Sequence, residues 1–162
     1  QTTTCYDAYG NVLHQVHVDG REEHREYYPQ GGAEGCPDDG GTFVRWLKRH
    51  TTKAPAPTPQ LPDYIAHTDY AYTMLSKRQP QDRQHLVLIS EAALEEIDGV
   101  EVAGATLTQT TEQAPDSPFH GLPTRSVIHY NGFAATTDFL RTFEGLLLCD
   151  TLHRGWGHID FV

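Results

Sequence analysis

Hydrophobic and polar positions alternate along most of this chain, and the alternation breaks at turn-forming pairs rather than at helix caps. From Val12 onward, Val12, His14, Val16 and Val18 share one face while Leu13, Gln15 and His17 share the other. Asp19-Gly20 and a second run closing on Tyr27 and Tyr28 follow, which predicts a β-hairpin. A two-residue turn is expected there, with positive φ at both central residues. After Pro62 the same period returns. Tyr64, Ala66, Thr68, Tyr70, Tyr72 and Met74 line one face of a predicted strand, an aromatic ladder suited to cross-strand packing. Residues 85–90 read as a short apolar strand. Residues 92–97 have helical propensity but run into Asp98-Gly99 and an extended stretch, so strand, turn, strand is the reading. Asn131-Gly132, between residues 124–130 and 133–143, is the strongest two-residue hairpin signal in the chain. The stretch from Leu146 to Val162 stays strand-like, with a turn expected around Gly155 and Gly157 and Trp156 buried.

Two breaks interrupt the pattern. Residues 29–41 are rich in Gly, Pro and Asp and read as loop, as do 116–121. Residues 54–62 carry four prolines in nine positions and should be extended, without ladder donors at those prolines. Both flanks are β-like, which favours an insertion loop within one sheet over an interdomain linker. Between the breaks, Phe43, Trp46 and Leu47 fall at i, i+3 and i+4. That spacing suits a short helical or irregular insertion near 42–50, a plug burying Trp46, with a bent strand as the alternative. The expected fold is an all-β antiparallel hairpin meander. Residues 1–162 form a single β-rich segment: hairpin at 1–28, Gly/Pro-rich insertion at 29–62, meander at 63–162. Gln1 opens straight onto strand-like threonines and Val162 stops inside an apolar run. Cut ladder edges of that kind suggest a segment of a longer chain.

Charge narrows the function classes. Twelve Lys and Arg against 22 Asp and Glu give a net charge of −10, spread along the chain. Nucleic acid and anionic membrane surfaces both call for clustered cations, so neither is an expected partner. No apolar run approaches membrane-spanning length, and no signal peptide opens the chain. Cys5, Cys36 and Cys149 are an odd, widely spaced set, read as free buried thiols. Of ten histidines, the closest pair, His14 and His17, points to opposite faces of a strand. The histidines therefore read as scattered, and no metal or cofactor is expected. Candidate acids and bases are Asp19, Asp138, Asp150, His153, His158 and Asp160, with Cys36 as a conceivable nucleophile. None sits in a recognisable catalytic motif. An enzyme is not expected, a small His/Asp-dependent hydrolase being the remote case. A stand-alone β-sandwich binding module is the other alternative.

Specific residues carry a resemblance. Tyr6-Asp7 with Gly10, ahead of the Asp19-Gly20 hairpin, looks like the YD repeat of RHS-type proteins. Tyr27, Tyr28, Pro29, Gly35, Cys36, Pro37, Phe43, Val44, Arg45, Leu47 and Lys48 resemble a characteristic stretch of the B component of bacterial insecticidal Tc toxin complexes. The order of elements from Leu86 to Phe139, with Pro118-Phe119-His120-Gly121 in a loop, is similar to the same family. The resemblance spans essentially the whole chain and fits the region after that component's β-propeller. Tyr9 before Gly10 departs from the repeat, where a smaller residue is usual. The resemblance implies a structural wall segment in a cocoon of β-hairpins. That cocoon encloses the cytotoxic C-terminal region of the C component for delivery through the pentameric A component. It implies a secreted toxin complex, the C component as shell partner and cargo, and contact with the A component through the rest of the B chain. No catalytic or cofactor-binding residue is implied in these 162 positions.

Overall fold

The structure, a computed structural model, describes residues 1–42, 44–55, 63–97, 99–141, 147–154 and 157–161. Over these residues the protein is all-β, with no helix. The strands are β1 (Thr3–Tyr6), β2 (Val12–Val16), β3 (Glu22–Tyr27), β4 (Leu47–Ala54), β5 (Tyr64–Leu75) and β6 (His85–Ile97). They continue as β7 (Val100–Thr111), β8 (Pro123–Tyr130), β9 (Phe133–Arg141), β10 (Leu147–Arg154) and β11 (Gly157–Phe161). All eleven lie side by side in chain order in one sheet. Antiparallel ladders join β1 through β5 and β7 through β11. Strands that follow one another in sequence lie next to one another throughout, across connections that range from the two residues Asn131 and Gly132 to the long loop between Tyr27 and Leu47.

The chain divides into two compact units. The first comprises Gln1–Tyr70 and Ala92–Gly104; the second comprises Ala71–Glu91 and Ala105–Val162. In the first unit, both opening turns are built alike. Gly10 N–H donates to the Asp7 carbonyl (3.2 Å) and Asp7 N–H to Asn11 O (2.9 Å). Ten residues on, Gly20 N–H donates to His17 O (3.1 Å) and His17 N–H to Arg21 O (2.8 Å). Gly10 and Gly20 are left-handed, at φ 86° and 84°, whereas Asp19 is not. The Asp19-Gly20 turn is thus a tight turn with a left-handed glycine at a bulge, not the two-residue turn that the dipeptide suggests. Asp7 and Asp19 each brace their own turn, accepting backbone N–H groups from Tyr9 and Asn11 and from Arg21, respectively.

The loop after β3 folds back on Tyr28. Its hydroxyl donates to the Tyr70 carbonyl at 2.8 Å, and the ring lies over Gly35. A bridge pairs Ala33 with Cys36, whose side chain is 1% exposed. Trp46 donates its indole N–H to Asp39 (3.0 Å) with the Arg45 guanidinium over its ring. The expected helix near 42–50 is absent among the described residues. Tyr28 N–H takes the Trp46 carbonyl (2.8 Å) and Leu47 already pairs with Tyr27. Ladder partners across the chain therefore outbid the local helical spacing, and the irregular reading holds for the residues before Leu47. Phe43 lies outside the described residues. The proline-rich connection joins two directly paired strands, Ala54 facing Tyr64, as an insertion loop within a sheet would. Residues 56–62 lie outside the described residues.

In the second unit, Asn131 and Gly132 both take positive φ, 47° and 78°, and Tyr130 pairs with Phe133. This is the two-residue hairpin that Asn-Gly predicts. The 112–122 loop is closed at both ends, Glu112 N–H to Leu122 O and Gly121 N–H to Glu112 O, each 3.0 Å. Arg154 of β10 pairs with Gly157 of β11; residues 155 and 156, where the turn and a buried Trp156 are expected, lie outside the described residues.

Among the residues whose side chains are described, which leave out Ile97, Leu140, Arg141 and all of β10 and β11, the buried apolar ones are Tyr28 and Cys36 in the first unit and Leu86 in the second. Val18, Val100 and Phe133 are 76%, 63% and 67% exposed. Residues 92–97 are strand despite their helical propensity, because an extended partner lies alongside.

Candidate functional site

Register across the first unit gathers the histidines that spacing along the chain keeps apart. In β2–β3, His14 faces His24, Gln15 faces Glu23 and Val16 faces Glu22. Alternation from the His17–Arg21 hydrogen bond makes His14 and His24 a non-hydrogen-bonded pair, the kind in which side chains stand closest. The two imidazoles stack, centroids 4.0 Å apart and planes 12° apart. Glu22 shares their face, two residues before His24. Its Oε2 lies 3.2 Å from His14 Nε2 and 3.5 Å from His24 Nε2. These three donor atoms all lie within 4.8 Å of one another, a set able to hold a metal ion. The same face continues outward. Cys5 faces His14 on β1, and Thr51 and His67 extend the row on β4 and β5.

The opposite face centres on Glu23, 14% exposed. It meets Arg25 at 2.6 Å, His17 at 3.0 Å, His50 at 3.4 Å and Arg21 at 3.8 Å. One carboxylate thus serves four cationic or potentially cationic groups from β3, β4 and the hairpin turn. A third cluster links β4, β5 and β7. Arg49 grips Asp69 with a two-pronged fork (2.6 and 2.8 Å) and reaches Glu101 at 2.7 Å. His67 Nδ1 lies 2.9 Å from the Thr51 hydroxyl.

These contacts set the acid behaviour. Hydrogen bonds from His14 and His24 hold the Glu22 carboxyl below its ordinary value of 4.5. Burial pushes Glu23 up, but the His17 hydrogen bond and the Arg25 and His50 charges outweigh it and leave it lowered from 4.5. Burial likewise pushes Asp39 up, but hydrogen bonds from the Gly41 N–H, Trp46 and Arg45 outweigh it and leave the carboxyl lowered from 3.8. A carboxyl whose folded pKa is depressed stabilises the fold fully above its unfolded value and loses that contribution as pH falls through the folded one. Stability of the first unit should therefore be flat above about pH 5 with respect to these groups and fall steadily below about pH 4. Denaturant midpoints measured between pH 3 and 7 check this.

The residues proposed from sequence as acids and bases are dispersed or engaged. Asp19 holds its own turn. Asp138 is taken by its cross-strand partner Arg125, at 2.6 and 3.3 Å. Asp150, His153, His158 and Asp160 lie on β10 and β11, where His153 faces His158 and Thr151 faces Asp160; their side chains lie outside the described residues. Burial and Asp39 both push the Cys36 thiol up, which keeps it protonated and weakens it as a nucleophile. Cys5 is free and exposed, unlike the buried thiol expected; the Cys149 side chain lies outside the described residues. The cluster that sequence reasoning missed is His14, Glu22 and His24. Its signal is the hairpin register, not any spacing between ligands.

No protein-family model, curated protein or solved structure matches this chain.

Proposed function

We propose that this chain is a wall segment of a β-hairpin shell, of the kind formed by the B component of Tc toxin complexes. The observation that carries the reading is the sheet: strands in unbroken chain order, with three buried apolar side chains among the residues whose side chains are described. A free-standing domain of this length ordinarily closes a core between layers. A ribbon that spirals as a container wall instead draws its cover from neighbouring turns of the ribbon, and exposed Val100, Phe133 and Val18 are surfaces for such neighbours. The paired turns at Asp7–Gly10 and His17–Gly20, ten residues apart, are consistent with a repeated hairpin unit. The residues of the Tyr-Tyr-Pro and Gly-Cys-Pro stretch support the same reading, since they build one substructure around Tyr28.

In this role the chain is not an enzyme and needs no cofactor. Its shell partner is the C component, whose cytotoxic C-terminal region is the enclosed cargo of a secreted complex. The A-component pentamer is reached through the rest of the B chain, and nucleic acid and membrane are not partners. Among the described residues no helix is long and apolar enough to cross a membrane. A charged face such as Glu22, His24, Arg49, Lys53, His67 and Asp69 suits a lumen that must not adhere to an unfolded guest.

The test is co-expression of the full-length chain bearing this segment with a C component, followed by graded proteolysis. The proposal expects a stable complex whose cargo region resists protease until the shell is denatured. A cargo digested as fast as free polypeptide, or no complex at all, overturns it.

A further inference from the structure

We propose that His14, Glu22 and His24 form a binding site for a zinc-class divalent cation on one face of the β2–β3 hairpin. Two imidazoles and one carboxylate are a common set for such an ion, with further coordination positions left to water or an incoming ligand. With metal–ligand bonds of about 2.0–2.1 Å, neighbouring ligands of one ion stand ~3 to ~3.3 Å apart. Glu22 Oε2 lies 3.2 Å from His14 Nε2 and 3.5 Å from His24 Nε2, close to that spacing.

The backbone presets this arrangement. Cross-strand pairing fixes His14 against His24, and the period of two puts Glu22 on the same face. Stacking at 4.0 Å holds the two rings nearly parallel, with both Nε2 atoms toward a single oxygen. A cation there would replace the two contacts with two coordinate bonds, and the rings would turn out of their stack so that both Nε2 lone pairs point at it. Glu22 supplies the one carboxylate of the set, negatively charged at neutral pH as glutamates ordinarily are. The opposing group is Lys53, directly across from Glu22, but its ammonium is held 3.1 Å from Asp63. Cys5, exposed and with a free thiol, faces His14 from β1 and makes the neighbourhood softer still. The site is half-exposed, so a cation reaches it from solvent. Bound there, it would clip β2 to β3 whatever partner the sheet meets.

The experiment is calorimetric titration of Zn2+ into the chelator-treated full chain, with His14→Ala, Glu22→Gln and His24→Ala each made singly. His17→Ala is the matched control, since it deletes a histidine–glutamate contact on the opposite face of the same hairpin. Circular dichroism confirms that each variant used is folded. The proposal expects one saturable site, lost or weakened at least tenfold in each of the three variants and kept within twofold in His17→Ala. Bound Co2+ should show the intense visible bands of a tetrahedral ion. No saturable binding, binding that survives loss of His14 and His24, or equal loss in His17→Ala overturns the site.

Discussion

Replacing Gly32 by alanine should destabilise the loop after β3 by about 3 kcal/mol, whereas the same change at neighbouring Gly31 should cost about 1 kcal/mol. Both glycines are left-handed, at φ 77° and 87°, so each substitution pays the same kind of backbone strain. They differ in what a new Cβ meets. At Gly32 it would stand 2.5 Å from Asp38 N, 2.7 Å from Cys36 O and 2.8 Å from the Pro37 carbonyl carbon, all backbone atoms that cannot rotate away. At Gly31 it meets nothing within 4 Å. The loop held together at Gly32 contains the Ala33–Cys36 bridge and leads to Asp39, which binds Trp46. Urea unfolding followed through Trp46 emission, in a Trp156→Phe background, separates the two variants. Equal midpoints for Gly31→Ala and Gly32→Ala would mean that the loop is not packed as described.

Substitution of Glu23 by glutamine should cost about 2 kcal/mol at pH 7, the upper part of the range for a charged hydrogen-bond hub that is only partly shielded from solvent. Glutamine keeps the shape and leaves Arg25, His17 and His50 around a neutral amide. The loss should depend on pH in a defined sense. Because Glu23 is held below 4.5, its contribution is complete above that value and vanishes as pH falls through the lowered one. Wild type and Glu23→Gln should therefore draw together in stability as pH falls below about 4 and stand furthest apart above about pH 5. A gap that stays constant from pH 3 to 7 would assign the effect to packing instead of charge.

How far the sequence could be read depends on which physical signal each element used. The Asn131-Gly132 hairpin was legible because both residues tolerate the left-handed region that a two-residue turn demands. The all-β class followed from alternation, and residues 92–97 from the turn signal behind them. Of the helical or irregular insertion expected near 42–50, the irregular form is the one the described residues take, because helical spacing of three apolar residues is a weak local preference. The ladder to β3 supplied hydrogen bonds that a helix would have had to forgo. The histidine cluster was hidden by one residue of register. A two-residue Asp19-Gly20 turn would pair His14 with Arg25; the bulged turn pairs it with His24. Turn chemistry at Gly20 thereby decides whether the two imidazoles meet. The Glu23 hub was equally invisible, since Arg25 is two residues away in sequence but His50 arrives from another strand through its pairing opposite Arg25. Long-range pairing, not composition, creates these sites.

Electron microscopy of the full-length chain in complex with a C component tests the central claim most directly. The account predicts that these eleven strands appear as consecutive rungs of a hollow wall, one layer thick, with additional density for cargo inside. A sheet packed face to face against a second sheet of its own chain around a solid core would contradict it.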